Sequence, residues 1–181
     1  MDGERRRSNA NSTNPVTAAE AKADPAVRLR PARPTDLPRV VEIYLKAYQA
    51  LGRYYYQDPE EARDYLQWCY EEEPEGFTVA EAETEADGRV VGFVSVHTWG
   101  APPERQGEVV EVVVDPAWQG RGLGQALLKH AEAYARRRGC RTLVLWVGRE
   151  NARAIRLYKK LGYEDVGRYE RWIKMAKPLQ P

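Results

Sequence analysis

The chain has little of what several classes of protein require. Only two of its 181 residues are cysteines, Cys69 and Cys140, and neither stands in a Cys-x-x-Cys or Cys/His spacing. A disulfide framework and a structural zinc site are therefore not expected. No apolar run approaches the roughly 18 residues of a membrane-spanning helix, and the first residues include no apolar signal segment. These absences predict a reduced, cytoplasmic protein with no bound metal and no membrane partner.

An excess of charge of one sign is also missing. The chain has 28 basic and 27 acidic residues, which leaves a formal net charge of +1. A nucleic-acid groove needs a basic stripe, usually with exposed aromatic side chains between the basic ones, and no such block is present. Nucleic acid is therefore not an expected partner.

The pattern of apolar residues predicts one α/β domain. Residues 1–25 are polar and have no apolar period, which predicts a disordered tail, and residues 26–181 are long enough for a single domain. The predicted element order is β-α-α-β-β-β-α-β-α-β-β. The predicted strands include 27–32, 76–83, 87–99, 107–115, 141–147 and 171–179, and the predicted helices cover 34–48, 59–74, 123–138 and 151–162.

A glycine-rich loop lies between the valine-rich fourth strand and the third helix. Gly120, Gly122 and Gly124 stand at alternate positions. Glycines there let the backbone approach a ligand closely and leave the first N–H groups of the helix free to donate, which is typical of a phosphate or pyrophosphate site. The loop lacks the Gly-Lys-Ser/Thr of a Walker loop and the GxGxxG spacing of a dinucleotide fold. A simple chain reversal is the alternative interpretation.

Two motifs carry a resemblance to a known family. The pattern Gln119-x-x-Gly122-x-Gly124 resembles the pyrophosphate-binding signature of the GCN5-related N-acetyltransferase (GNAT) family, whose ligand is acetyl-coenzyme A. The segment NARAIRLYKKLGYE, which begins at Asn151, resembles the family's second motif at the usual distance. The predicted element order also matches over about residues 27–179. The resemblance implies the acyl-CoA N-acyltransferase fold, a mixed α/β structure with a central sheet of six or seven strands and about four flanking helices.

The resemblance also implies where the coenzyme binds. In the family, the fourth and fifth strands separate, and the pantetheine arm bonds to the exposed backbone edge as an added strand would. Here that edge is Val112 to Val114, and the Val112 N–H is a candidate donor to the thioester oxygen. The valine side chains themselves are expected in the core. The full set of expected coenzyme contacts is Val112, Val113, Val114, Gln119, Gly120, Arg121, Gly122, Leu123, Gly124 and Asn151.

Tyr158 is the candidate general acid. It stands seven residues after Asn151, about two helical turns further on, so the two residues share roughly one helix face. The resemblance implies that a tyrosine here protonates the departing coenzyme A thiolate. Simple packing beside Ile155 and Leu161 is the alternative.

Two glutamates on the fourth strand are candidate general bases. A lysine-like amine has a pKa of about 10.4 and is therefore mostly protonated at neutral pH. A carboxylate can help to remove its proton before it attacks. Counting back from Gln119, Glu108 stands where histone-type members carry their catalytic glutamate, and it is the first candidate; Glu111 is the second. The two-residue period of a strand predicts that the two side chains lie on opposite faces. For either residue, a solvated glutamate at a strand end is the alternative.

Two further positions bear on the base and on the substrate. His97, near the end of the third strand, is another candidate base, although a single histidine is more often structural or exposed. Relatives that acetylate protein N-termini carry their base on the fifth strand, at the position of Trp146. That departure argues against this substrate class or assigns the base elsewhere.

Charge is distributed unevenly along the chain. Residues 58–87 contain twelve acidic residues and one basic residue, whereas residues 117–177 contain fifteen basic and five acidic residues. The basic half suits the phosphates of coenzyme A, and the acidic stretch lies where the family builds part of its acceptor site. A solvated helix face is the alternative for the acidic stretch. The tyrosine-rich segment 52–57 falls in the same acceptor region, or packs on the sheet.

The resemblance therefore implies an acetyl-CoA-dependent N-acetyltransferase that acts by direct attack of a primary amine, with no covalent enzyme intermediate. The acceptor is a small molecule, a peptide or a protein. A non-catalytic module that senses coenzyme A or binds another protein is the alternative, and a larger acyl donor stays open. Dimerisation through the last strands, common in the family, leaves a homodimer open as well.

Overall fold

The computed structural model describes residues 26–49, 51, 55–83, 88–101 and 103–180, so the predicted tail over residues 1–25 lies outside the described residues. The strands are β1 (Val27–Pro31), β2 (Phe77–Ala82), β3 (Arg89–Trp99), β4 (Gln106–Val114), β5 (Thr142–Gly148), β6 (Glu164–Tyr169) and β7 (Trp172–Pro178). The helices are α1 (Leu37–Tyr48), α2 (Pro59–Glu72), α3 (Leu123–Arg137) and α4 (Ala152–Lys160).

The strands form one mixed sheet of seven in the order β1-β2-β3-β4-β5-β7-β6. Every neighbouring pair is antiparallel except β4 and β5, which run parallel. This architecture confirms the predicted mixed sheet with four helices and the predicted element order. Within the described ranges, no helix combines the length and the apolar character that crossing a bilayer requires.

Two hydrophobic cores lie on opposite faces of the sheet. On one face, α1 and α2 bury residues such as Ile43 and Leu66 against Phe77 and Phe93 of the sheet. On the other face, α3 and α4 pack on the strands through residues such as Leu127. Both faces of the central strands are therefore covered, and this explains why β4 is so rich in valine.

The central sheet opens between the parallel strands β4 and β5. Gln106 to Val109 pair with Thr142 to Leu145, and the pairing ends there. The remaining residues of both strands diverge, so the rest of β4 has a neighbour on only one side, β3. A gap therefore opens in the middle of the sheet, toward the carboxyl ends of β4 and β5.

A β-bulge in β4 corrects the predicted placement of the two glutamates. Ser95 pairs with Glu111, but His97, two residues further along β3, pairs with Glu108, because Val110 is an extra residue in β4. Residues two apart on a strand share a face, and directly paired residues across two strands share it too. Glu108 and Glu111 therefore lie on the same face, and the prediction of opposite faces was wrong.

The packing of the neighbouring valines agrees with this bulge. Val109 and Val112 are three residues apart, yet both pack into the core beneath α3, whereas Val113 is buried in the core beneath α1 and α2. A regular strand would place residues three apart on opposite faces. The bulge therefore adds a second acidic side chain to the face that α1 and α2 cover.

An ion pair fixes the end of β4 to α1. Arg39 of α1 donates to the carboxylate of Asp115 and, through Nε, to the Val90 carbonyl oxygen at 3.1 Å. The Asp115 carboxylate also accepts from the Ala117 N–H at 3.0 Å, where the chain turns toward the glycine-rich loop. Both charged side chains are largely buried. The pair sets where the loop begins relative to α1.

Candidate active site

A large cleft of about 1090 Å³ occupies the gap between β4 and β5. Its walls come from the open edge of β4, the glycine-rich loop, the first turn of α3, α4, and the tyrosines of α1 and of the segment that follows it. Residues that line it include Tyr44, Tyr48, Tyr65, Glu111, Val112, Val114, Gln119, Gly120, Gly122, Leu123, Gly124, Trp146, Asn151 and Tyr158.

The backbone of β4 presents hydrogen-bonding groups to this cleft. The Asp115 N–H donates to the Val91 carbonyl oxygen of β3 at 2.9 Å, so the alternation of a strand turns the N–H groups of Val112 and Val114 toward the open edge. The Gln119 side chain, which reaches the Val114 carbonyl oxygen at 3.1 Å, approaches from that edge. The Val112 and Val114 side chains pack against the core beneath α3. The edge that the sequence predicted for the pantetheine arm is therefore available as backbone.

Glycine is required at the three positions of the loop for two different structural reasons. Gly120 and Gly122 have φ angles of 85° and 81°, which side chains rarely allow, and a Cβ at either position would meet no atom within 4 Å. Gly124 lies inside α3, where a Cβ would come within 3.3 Å of Leu157 of α4. The first two glycines shape the loop, and the third allows two helices to approach each other.

The start of α3 is prepared for an anion. Gly122 is its N-cap residue, and no side chain caps the first turn. The first N–H groups of α3 therefore remain able to donate hydrogen bonds to a ligand, and they lie at the positive end of the helix dipole. Arg121 lies over the Trp118 ring, with 4.7 Å from its guanidinium carbon to the ring centroid. Leu123, the first residue of the helix, lines the cleft.

Two side chains predicted to contact the coenzyme also hold the site together. The Gln119 side-chain amide donates to β4 as described above, and its oxygen accepts from Arg153 of α4. The Asn151 side-chain oxygen accepts from the Ala154 N–H at 3.1 Å and so caps α4. Both residues therefore fix the walls of the cleft, in addition to any contact with a ligand.

Tyr158 extends from α4 into the cleft. Burial raises the pKa of its hydroxyl, and electrostatic interactions with Tyr55 and with the Glu111 carboxylate raise that pKa further. Because its pKa is raised, the hydroxyl keeps its proton at neutral pH, and within the described part of the chain it makes no hydrogen bond. A protonated hydroxyl without a competing partner is positioned to donate to a strongly basic leaving group in the cleft.

Glu111 is the acidic side chain that lines the cleft. It is only 7% exposed, and its carboxylate accepts hydrogen bonds from the Tyr48 hydroxyl and, at 3.2 Å, from the Tyr65 hydroxyl. Burial raises its pKa to about 7, and the two tyrosine bonds and the Val112 N–H oppose part of that rise. A carboxylate with a pKa near neutrality exchanges protons readily at physiological pH.

Glu108 lies deeper along β4, where β4 still pairs with β5, and is absent from the lining of the cleft. It is half-buried, and burial raises its pKa against the lowering effect of Lys174 and His97. His97 is buried and donates from Nε2 to the Cys69 carbonyl oxygen at 3.0 Å, because a carbonyl can only accept. His97 therefore serves a structural contact with α2, as the ordinary interpretation of a single histidine expects.

A group of tyrosines surrounds Glu111, and of these Tyr44, Tyr48 and Tyr65 were not predicted to belong to the site. Tyr48 stacks on Tyr55 with 3.5 Å between ring centroids, and Tyr44 contacts both of these rings edge-on. Tyr48 and Tyr65 have the helical spacing of ordinary core residues, so only their aromatic type could have singled them out. Of the segment 52–57, Tyr55 and Tyr56 line the cleft, and residues 52–54 lie outside the described residues.

Trp146 lies at the position where N-terminal acetyltransferases were expected to carry a base. Trp146 lines the cleft, and the Lys174 ammonium lies 5.6 Å from its ring centroid. Across the described ranges, no three histidine, cysteine, aspartate or glutamate side chains are grouped so that they could hold a metal ion.

Comparison with known proteins gives a family match and two informative relatives. Residues 37–163 match the model of the acetyltransferase (GNAT) family. An uncharacterized N-acetyltransferase of Methanocaldococcus jannaschii is 40% identical over 147 residues, which cover 80% of this chain and 63% of that protein. A mycothiol acetyltransferase of Saccharomonospora viridis is 44% identical over 97 residues, 51% of this chain and 31% of that protein. The chain thus spans less than two thirds of either relative.

Solved structures agree with the family match. A crystal structure of a protein from Pyrococcus horikoshii superposes with a TM-score of 0.73 at 28% identity and covers 86% of this chain and all of that chain. The PaiA N-acetyltransferase of Thermoplasma acidophilum, solved in complex with coenzyme A, superposes with a TM-score of 0.70 at 19% identity, over 84% of this chain and 99% of that one. At that identity the second likeness shows the fold.

The raised pKa of Glu111 predicts how stability depends on pH. The folded protein holds this proton more tightly than the unfolded chain, whose glutamate pKa is 4.5, so the stabilisation is complete below pH 4.5 and is lost as the pH rises through 7. The loss amounts to about 3 kcal/mol.

We expect Glu111→Gln to remove this loss, so that the free energy of unfolding of the variant, relative to the wild type, increases between pH 4.5 and pH 8. Urea unfolding at both pH values measures it. The exposed Glu164→Gln is the control, and a difference for Glu111→Gln that is equal at both pH values would contradict the account.

Proposed function

The chain belongs to the acetyltransferase (GNAT) family, and we propose that it transfers the acetyl group of acetyl-coenzyme A to a primary amine by direct attack. The observation that carries this proposal is the cleft between β4 and β5. It combines an open backbone edge, an uncapped helix N-terminus, a tyrosine hydroxyl that keeps its proton and a carboxylate with a pKa of about 7. Acyl transfer to an amine needs a group of each of these kinds.

The described residues fit the coenzyme along the length of the cleft. The N–H groups of Val112 and Val114 would hold the pantetheine arm as an added strand, and the first turn of α3 would hold the diphosphate. The basic residues of 117–177 favour the same phosphates. The coenzyme supplies an activated acetyl thioester, and the Val112 N–H would stabilise negative charge on its oxygen.

Glu111 is our candidate for the base that takes the proton of the attacking amine. It lines the cleft, lies next in sequence to the Val112 N–H, and has a pKa close to neutrality. Glu108, which the family resemblance favours, is on the same face but outside the lining, so it would act through water. Tyr158 would return a proton to the departing thiolate from the α4 side of the cleft. Both proton transfers would then occur within one cleft.

Turnover with a Tyr158→Phe variant tests the chemistry. Thiol release from acetyl-coenzyme A is measured against polyamines, amino acids, aminoglycosides and lysine or N-terminal peptides. We expect a responsive amine, and in the variant a kcat lower by about tenfold or more with an unchanged dissociation constant for the coenzyme. Tyr163→Phe is the matched control, because that hydroxyl is buried nearby but lies outside the cleft lining. An unchanged kcat in Tyr158→Phe would remove it from the mechanism.

The pH dependence of kcat/KM distinguishes the two glutamates. The wild type is expected to gain activity as the pH rises through about 7, where Glu111 loses its proton. We expect Glu111→Gln to lose that step together with about a hundredfold of kcat/KM, whereas Glu108→Gln retains the step. If Glu108→Gln abolishes the step and Glu111→Gln keeps it, the base is Glu108.

Several finer aspects of the function remain proposals. The acceptor is proposed to be the primary amine of a small molecule, a peptide or a protein, with acetyl as the transferred group. The cytoplasmic location and a homodimer stay predictions. Coenzyme binding without turnover on any amine would favour the alternative of a module that senses coenzyme A.

A further inference from the structure

A second, smaller cavity, widely open to solvent, lies beside α2 and shares part of its lining with the cleft. It has a volume of about 470 Å³ and is lined by Tyr56, Glu61, Asp64, Tyr65 and Trp68. Tyr56 and Tyr65 line the large cleft as well. The two cavities are therefore neighbours that share the side chains of these two tyrosines.

Three aromatic rings form one wall of this cavity. The ring centroids of Tyr56 and Tyr65 are 5.1 Å apart, and those of Tyr65 and Trp68 are 6.2 Å apart. Tyr56 is 46% exposed and Trp68 is 45% exposed, so large apolar faces remain in contact with water. Adjacent, exposed aromatic faces are what a cation needs for cation–π attraction.

Two carboxylates stand beside these rings. Glu61 and Asp64 are three residues apart on α2, so they lie on one face of the helix, and both are exposed. The only ion pair found for either within the described residues is that of Asp64 with Arg63, at 3.9 Å between two exposed side chains. Acidic residues in the first turn of a helix interact favourably with the helix dipole, which accounts for Glu61. This effect does not explain Asp64, which lies beyond the first turn, and it does not explain the exposed rings.

We propose that this aromatic and acidic cavity binds a second ammonium or guanidinium group on the acceptor molecule, so that preferred acceptors carry two cationic groups. The inference rests on the proposed function, because the first group is the amine that reacts beside Glu111. Tyr65 connects the two positions, since its hydroxyl donates to the Glu111 carboxylate and its ring forms part of the second cavity. The two cationic groups would therefore bind on either side of the Tyr65 side chain.

The chemistry of the cavity selects against other occupants. A neutral apolar group would remove two carboxylates from water without a partner, which is costly. An anion would be repelled by the same carboxylates. A cation gains both the carboxylate charge and the ring faces, and an alkylammonium or a guanidinium satisfies this requirement equally.

The experiment compares acceptors that differ only in the second charge. Acetylation by the full chain is measured with linear diamines of increasing length, with alkyl monoamines of matched length, and with lysine peptides that carry or lack a neighbouring basic residue. We expect a KM optimum at one diamine length and a KM lower by about fivefold or more than that of the matched monoamine. The diamine and peptide arms identify which source of the cation is preferred.

Variants of the cavity provide the decisive comparison. Glu61→Gln combined with Asp64→Asn, and separately Trp68→Leu, should raise KM for the preferred dication about fivefold while KM for the monoamine and kcat stay unchanged. Glu72→Gln, an exposed carboxylate at the other end of α2, is the matched control. Equal KM values for monoamine and diamine, or variants that change KM for both alike, would overturn the proposal.

Binding separates this proposal from the proposed function. Titration of the diamine into the protein saturated with coenzyme A is followed by calorimetry, with no turnover required. Dication binding that the cavity variants weaken supports the second site even if no amine is acetylated, and that combined result would count against the transferase proposal alone. Acetylation of monoamines together with no dication binding would count against the second site alone.

Discussion

The end of pairing between β4 and β5 after Val109 is the constraint on which the rest of this structure depends. A strand in the middle of a sheet normally bonds on both edges, and half of β4 bonds on one edge only. Within the described ranges no strand pairs with this edge beyond Val109; the Gln119 side chain meets the Val114 carbonyl oxygen, and the Val112 and Val114 N–H groups have no strand partner. The glycine-rich loop and α3 follow β4 directly, and therefore their position is fixed by the same divergence. Asp115, held by Arg39, sets the point where the chain leaves the sheet.

The bulge at Val110 gives the open edge its chemistry. It turns Glu111 toward α1 and α2, where the Tyr48 and Tyr65 hydroxyls meet the carboxylate. A regular strand of the same residues would place Glu108 and Glu111 on opposite faces, so that only one of them could face α1 and α2. Burial among tyrosines brings the pKa of this glutamate to about 7, at a cost in stability above that pH. The residue that is costly for folding is thus the one that is best suited to exchange a proton.

The sequence predicted those features that depend on local residue patterns. Helix caps and apolar periods identified the element order, and Gly120 and Gly122 marked a loop that needs positive φ angles. The family motif pointed to Tyr158. The placement of Glu111 was not predictable by counting along the strand, because a bulge of one residue inverts every face beyond it. The reason for Gly124 was also hidden, since it lies in the distance between two helices and not in the loop itself.

Amide hydrogen exchange of the β4 backbone, with and without coenzyme A, tests the central claim most directly. The claim is that the open edge of β4 receives the coenzyme as an added strand. We expect the Val112 and Val114 amides, which lack a strand partner on the open side, to become protected when coenzyme A binds, while the amides of the outer strand β6 do not change. Coenzyme binding that leaves the exchange of Val112 and Val114 unaltered would contradict it.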